Sequence, residues 1–446
     1  MRAEPGEDAG RTVQRNQEER SVRPRLTGAT ASVAALGLLG SFVTACGSSE
    51  SGDGTTLRLV AAEYGNSPET SSKAYWDGLT ADFVAAHPGR KVEVTLYPWA
   101  DVDREVTRLV EEGNAPDVAL MGAYSDFAAQ GRLYAASELL PVRVESNFLP
   151  PLVEAGSVDH TLYGLPFVAS SRLLFYNEEL FDKAGAKPPK TWTDLAEAAK
   201  ALKKEGVLCP YALPLGPEEA HAEALIWELS NGGGYAGDTG GYDIASERNT
   251  QTFRWIKNNL VEPGLTGPVP PANFNRKDAF AAFLRGDVGM LNGYPSLLHE
   301  ARAKGMKVGT LRMPVSDTRQ DAQPAASAGV ADWMMAFKRD GNRELVGSFL
   351  EFVYEDKNLN AFAGRYHLLP STVSASLASK DAADPSNEQF LDALSGAELY
   401  PVNEPSWLQV SNTIKRNIGQ AVAPSADPGI VLEGIADEVR DIVDES

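Results

Sequence analysis

Cysteine is almost missing from this chain: 446 residues hold two, Cys46 and Cys209. With Cys46 taken by other chemistry, Cys209 has no partner, and a disulfide framework is excluded. Cys209 stands in the run Val207-Leu208-Cys209-Pro210-Tyr211, which reads as a buried strand end, so a packed thiol is expected and not a reactive one. Enzyme signatures are missing as well. There is no Gly-x-Ser-x-Gly elbow, no Walker loop and no Gly-x-Gly-x-x-Gly behind a strand, and Gly232-Gly233-Gly234 has neither the spacing nor the context. The five histidines, His87, His160, His221, His299 and His367, show no metal-ligand spacing, so neither a metal nor a cofactor is expected. No sequence repeats itself, and no later apolar run is long enough for a second membrane anchor. A net charge of −20 argues against nucleic acid or an anionic lipid surface as partners.

What the chain does have begins at its N-terminus. Arg11, Arg15, Arg20, Arg23 and Arg25 precede an apolar stretch from Ala29 that closes on Val43-Thr44-Ala45-Cys46. A basic stretch, an apolar core and small residues before a break form the pattern of a secretory signal peptide. The apolar run is about 16 residues, short of the ~20 that a membrane-spanning helix needs. A cysteine directly after Val-Thr-Ala resembles the bacterial lipobox, which implies cleavage before Cys46 and lipidation of that residue. Residues 1–45 are thus expected to be a lipoprotein signal peptide, and the Gly/Ser-rich 46–55 a flexible tether. The protein is expected outside the cytoplasmic membrane, anchored on its outer face.

From Thr56 the chain alternates strand and helix patterns. Leu57–Ala62, Lys91–Leu96 and Asp117–Met121 read as strands; Ala74–Ala86 and Val102–Glu112 between them read as helices. Such alternation implies an α/β protein with sheets covered on both faces. Thr191 followed by Asp194 forms a capping box, and Leu195, Ala198, Ala199 and Leu202 then mark one apolar helix face. Further strands are expected at 172–177, 286–291, 308–314 and 333–337, helices at 278–284 and 344–354, and a polar loop at 316–327.

Ten aromatic residues, Tyr64, Trp99, Tyr124, Trp227, Tyr235, Tyr242, Tyr294, Trp333, Tyr366 and Trp407, mostly stand beside Gly, Pro, Asn or Asp and read as loop positions. Aromatic platforms with Asp, Glu, Asn and Arg beside them suit a sugar, which offers flat C–H faces and a rim of hydroxyls. The alternative for any one of them is a loop anchor. The 61 acidic residues leave a glycosidase-like carboxylate pair open, although most such pairs are two solvated side chains.

Several segments in sequence order resemble the solute-binding proteins of ABC importers, the carbohydrate-type family 1. These are Gly113-Asn114-Ala115-Pro116-Asp117-Val118, Leu162–Pro166 with Leu174–Phe181, Pro189–Leu195, Phe283–Met290 with Gly293-Tyr294, the helix around Phe349–Phe352, and Leu368–Ser371. Two departures are Ser170-Ser171 before Arg172, where many relatives carry an acid, and Ala331-Asp332-Trp333, where small or apolar residues are usual. The resemblance implies a two-lobed periplasmic-binding-protein-like fold, with mixed or parallel sheets, flanking helices, a ligand cleft and hinge crossovers. Lobe 1 would hold 56–168 and 327–372, lobe 2 would hold 169–314 and 373–446, and 315–326 would be a crossover loop. It implies a monomer that captures a carbohydrate by lobe closure and delivers it to a permease, without enzymatic activity. A polyol or glycerophosphoryl ligand is the first alternative; an anchored glycoside hydrolase or a surface sensor follows. The implied ligand-binding set is Tyr64, Tyr124, Asp126, Arg172, Trp227, Glu228, Tyr294, Asp332, Trp333 and Trp407. In it Trp333 and Trp407 would be stacking platforms, and Asp126, Glu228 and Asp332 hydroxyl acceptors.

Overall fold

The first strand, β1 (Thr56–Glu63), runs parallel to both β2 (Lys91–Pro98) and β3 (Val118–Met121). Parallel neighbours need a crossover long enough to return the chain. The helix Lys73–Ala86 provides the first, burying Trp76, Leu79 and Phe83 against the sheet, and Val102–Glu111 the second, burying Val102, Val106 and Val110. These are the expected 3.6-residue stripes. The computed structural model describes residues 54–65, 67–237, 240–319, 324–381 and 385–445; Cys46, the signal segment and most of the tether lie outside them.

A short hairpin, β4 (Ser157–Val158) and β5 (Thr161–Leu162), turns through Asp159 and His160, both at positive φ. That left-handed pair matches the two-residue turns that follow strand twist. It leads into β6 (Leu165–Ser171), buried along its whole length. Arg172 alone then separates β6 from β7 (Leu173–Asn177), yet the two strands belong to different sheets. The second sheet is completed by β8 (Cys209–Tyr211), β9 (Val288–Gly293) and β10 (Val308–Leu311), in the order β10-β7-β9-β8. The chain returns to the first sheet through β11 (Ser327–Ala336), which lies antiparallel between β3 and β6, and adds β12 (Leu369–Pro370) beside β6.

One expectation is corrected here. Residues 373–446 were assigned to the second lobe, but β13 (Ala397–Leu399) pairs in parallel with β11 in the first sheet. Gly329 allows it: a Cβ there would meet Ala397 at 2.9 Å and Leu399 at 3.1 Å. The strand at 333–337 is also longer than expected and starts at Ser327, because pairing with β6 and β13 recruits residues that look like loop.

Local signals hold where they rest on short-range chemistry. Thr191 Oγ1 accepts from the Asp194 amide at 3.2 Å, and Asp194 accepts from the Thr191 amide at 3.0 Å, opening the helix Trp192–Lys204. Cys209 is buried, its thiol donating to the Thr266 carbonyl at 3.3 Å. Burial, with the nearby Asp287 charge, pushes that thiol up to about 12, so it stays protonated and unreactive.

Candidate ligand-binding site

Loops at the carboxyl ends of strands collect ligand groups in α/β proteins. On the first-sheet side, Tyr64 follows β1 and donates its hydroxyl to Asp332 Oδ2 at 2.6 Å, on β11. The Tyr64 ring is held edge-on by Trp99 at 5.3 Å and Phe362 at 4.8 Å. Burial pushes the Asp332 carboxyl up to about 7; the Tyr64 hydrogen bond opposes this and the Asp103 charge adds to it. Asp103 itself is raised by burial, against the Gly122 and Ala123 amides.

The facing side is built around Arg172. Its guanidinium donates to Ser170 Oγ at 2.9 Å and to Glu219 Oε1 at 2.6 Å, and lies 4.5 Å over the Tyr294 ring. Arg276 pairs with Glu218 at 2.7 Å, bridges to Glu219 and donates to the Tyr294 hydroxyl. Burial alone would raise the Glu219 carboxyl, but Arg172 and Arg276 more than offset it and hold it below the usual range. Beneath lies Glu223, one turn further along the helix Ala220–Ser230. Its Oε1 accepts from Tyr211 at 2.9 Å, Asn292 at 3.0 Å and the Trp227 indole at 3.1 Å. Lys415, on the helix Trp407–Asn417, is within electrostatic reach of both Glu219 and Asp103.

The Arg172 cluster with Tyr294, Glu219 and Arg276 and the Tyr64–Asp332 pair thus form one electrostatically connected polar region, a candidate ligand chamber, because the Asp332 carboxyl feels the charges of both Arg172 and Asp103 and Lys415 feels those of Glu219 and Asp103. The other expected residues take different places. Trp333 is 0% exposed and packs its ring against Tyr124 and the Gly156 turn, so neither face is free for stacking. Tyr124 is also buried, its hydroxyl spent on the Ala155 carbonyl at 2.5 Å. Trp227 is buried as the indole that supports Glu223. Trp407 is 4% exposed, with Tyr400 and Tyr242 stacked on it at 5.6 and 6.2 Å. Asp126 accepts from the Ser406 amide at 2.9 Å and so fixes the strained turn, φ 67°, that starts the Trp407 helix. These roles correct the expected platforms and acceptors. Trp333 lies within β11 and Trp227 and Trp407 lie on helices, so these rings face the core and not a loop surface.

Glu228 is the sharpest correction. It is fully buried, and among the described residues neither carboxylate oxygen has a hydrogen-bond partner. Burial, then the Asp243 charge, pushes the carboxyl well above the usual range. The native state therefore keeps a proton that the unfolded chain loses, so this group subtracts stability as pH rises past about 4.3, by up to ~1.4 kcal/mol per pH unit. Glu228→Gln cannot ionise. In urea unfolding it is expected to gain on the wild type as pH rises above the unfolded carboxyl value of about 4.3; a constant gap would contradict this.

Two sheets joined by single-residue and loop crossings, with facing charged and aromatic groups at their strand ends, define a two-lobed solute-binding fold. The sequence pattern of the bacterial extracellular solute-binding proteins matches residues 66–359, and the chain belongs to that family. It is 26% identical over 403 residues to a Brucella abortus binding protein of unstated ligand, covering 86% of this chain and 93% of that one. It is also 26% identical over 357 residues to the sn-glycerol-3-phosphate-binding periplasmic protein of Escherichia coli, covering 72% and 79%. Among solved structures, the cyclic alpha-maltosyl-1,6-maltose binding protein of Arthrobacter globiformis shares the fold with a TM-score of 0.73 at 16% identity, covering 88% and 99%. The sugar-binding protein MalE of Xanthomonas citri does so at 0.72 and 18%, covering 88% and 98%. No helix among the described residues is long and apolar enough to cross a membrane.

Proposed function

We propose that this chain captures a neutral carbohydrate, an oligosaccharide in particular, between its lobes and delivers it to a membrane ABC permease. The charge pairing of the chamber carries the reading. Each arginine already faces a carboxylate, Arg172 with Glu219 and Arg276 with Glu218 and Glu219, while Asp103 and Asp332 face Lys415 and Tyr64. Paired ions present both donors and acceptors, which suits hydroxyls. A phosphate would instead need donors whose charge is not already spent. The Escherichia coli relative supports the second reading, a glycerophosphoryl ligand, with Lys415 as the cation that would meet it. Thermal melting with glucose, maltose, maltotriose, raffinose and sn-glycerol-3-phosphate separates the two. A ligand at 100 times its Kd stabilises the fold by about 2.7 kcal/mol. Stabilisation by a saccharide alone supports the first reading, and by the phosphate alone the second. The sugar recovered from the complex should be unchanged, as for a carrier with no hydrolytic activity.

In this reading the lobes are 56–168 with 327–372 and 169–314 with 373–446, apart from the β13 strand, and they move about crossings near 169–171 and within 314–328. The protein acts as a monomer, tethered by a lipid on Cys46. Cys46→Ala is expected to shift it from the membrane fraction to the soluble one with unchanged ligand affinity. Membrane association that survives the substitution would refute the anchor.

A further inference from the structure

We propose that His221 and Tyr400 form a pair that reads adjacent hydroxyls of the bound saccharide, at the end of the chamber nearest the Trp407 helix; this rests on the saccharide reading above. The two rings stack at 4.7 Å and 24°, and Tyr400 stacks in turn on Trp407 at 5.6 Å. His221 is 9% exposed and Tyr400 8%. His221 Nδ1 and the Tyr400 hydroxyl are both fully covered, and among the described residues neither has a hydrogen-bond partner. Buried polar atoms are seldom left so. Both groups also border the charged chamber: Tyr400 is coupled to Glu219, Arg172 and Arg276, and His221 to Lys415 and Arg172.

The surroundings fix the pair in place. The His221 carbonyl accepts from the Tyr235 hydroxyl at 2.7 Å, and the Tyr235 ring packs 6.1 Å from Trp407. Burial, with the Lys415 and Arg172 charges, holds the imidazole well below its usual range and therefore neutral. A neutral imidazole offers one N–H and one lone pair, and a phenol offers one O–H and its own lone pairs. Side by side, they can donate to one hydroxyl and accept from its neighbour, which is the hydrogen-bonding pattern of a vicinal diol. No sequence motif marks either residue: His221 looks like a helix histidine and Tyr400 like a residue before a proline.

Tyr400→Phe and His221→Phe test this, because each keeps a stacking ring and removes only the polar function. Both are to be titrated by calorimetry with whichever of glucose, maltose, maltotriose and raffinose binds the wild type. Expected is a loss of affinity of tenfold or more, with the melting temperature of the unliganded protein unchanged or higher, since an unpartnered buried group has been removed. Affinities within twofold of the wild type would overturn the pair and leave the saccharide reading standing. A wild type that binds none of the four sugars overturns both.

Discussion

Arg172→Ala is expected to abolish measurable ligand binding and to lower stability by about 3–5 kcal/mol, the cost typical of breaking a buried ion pair by removing one partner. The side chain is 6% exposed and bonds Ser170 and Glu219, while its guanidinium covers Tyr294. Removing it leaves the partly buried Glu219 with Arg276 as its remaining ion-pair partner. Position magnifies the effect, because Arg172 is the single residue between β6 and β7. Its amide donates to the Ala328 carbonyl and to Ser327 Oγ, and Ser327 Oγ donates back to its carbonyl at 2.8 Å. The two crossings are therefore tied together at this point. The pH dependence supplies a second check. A carboxyl held below its usual range stabilises the fold above its unfolded pKa and loses that contribution as pH falls through the folded one. The gap between wild type and Arg172→Ala should accordingly narrow below about pH 4. Urea unfolding between pH 3 and 7, with calorimetry at pH 7, measures both. Full affinity in the variant would remove Arg172 from the site.

Asp117→Ala is expected to cost a similar amount, about 3–5 kcal/mol, and to leave affinity unchanged in the protein that still folds. Asp117 is buried just before β3, at the opposite end of that strand from the ligand chamber. One carboxylate oxygen accepts from the Arg58 amide at 2.7 Å; the other accepts from Asn342 at 2.8 Å and Arg339 at 2.9 Å. It thus joins β1, β3 and the start of the helix Arg343–Val353. Alanine strands three donors at once. Stability lost with affinity retained marks Asp117 as scaffold, whereas Arg172→Ala should lose both. A Kd that weakens along with Asp117→Ala stability would mean that this joint reaches the chamber.

Tyr64 bonds Asp332, Arg172 lies over Tyr294, and Arg172 and Asp332 are within electrostatic reach of each other; all four lie at or next to strand ends, whose position follows from alternating strand and helix patterns. Their most important neighbours were not legible. Glu219 and Arg276 are ordinary helix-end charges until β7, β8 and β9 bring them to Arg172. Asp103 and Lys415 stand 312 positions apart in the numbering and gain meaning only when the fold brings Lys415 within electrostatic reach of Asp103 and Glu219. Nor could the burial of Trp333 be foreseen from Ala331-Asp332-Trp333. Successive residues of a strand point to opposite faces, so Asp332 can meet Tyr64 while Trp333 packs against Tyr124.

By itself the sequence determined whatever depends on neighbours within about a turn or a strand length: the parallel β1-β2-β3 unit with its covering helices, the Thr191–Asp194 cap and the packed Cys209 thiol. Only the tertiary structure decided which aromatic rings are buried, that β13 joins the first sheet, and that Arg172 and Arg276 are already paired with carboxylates. The reason is one of range. Caps, turns and periodic faces are energies between residues close in the chain, whereas burial and ion pairing depend on groups that only the folded chain brings within a few ångströms.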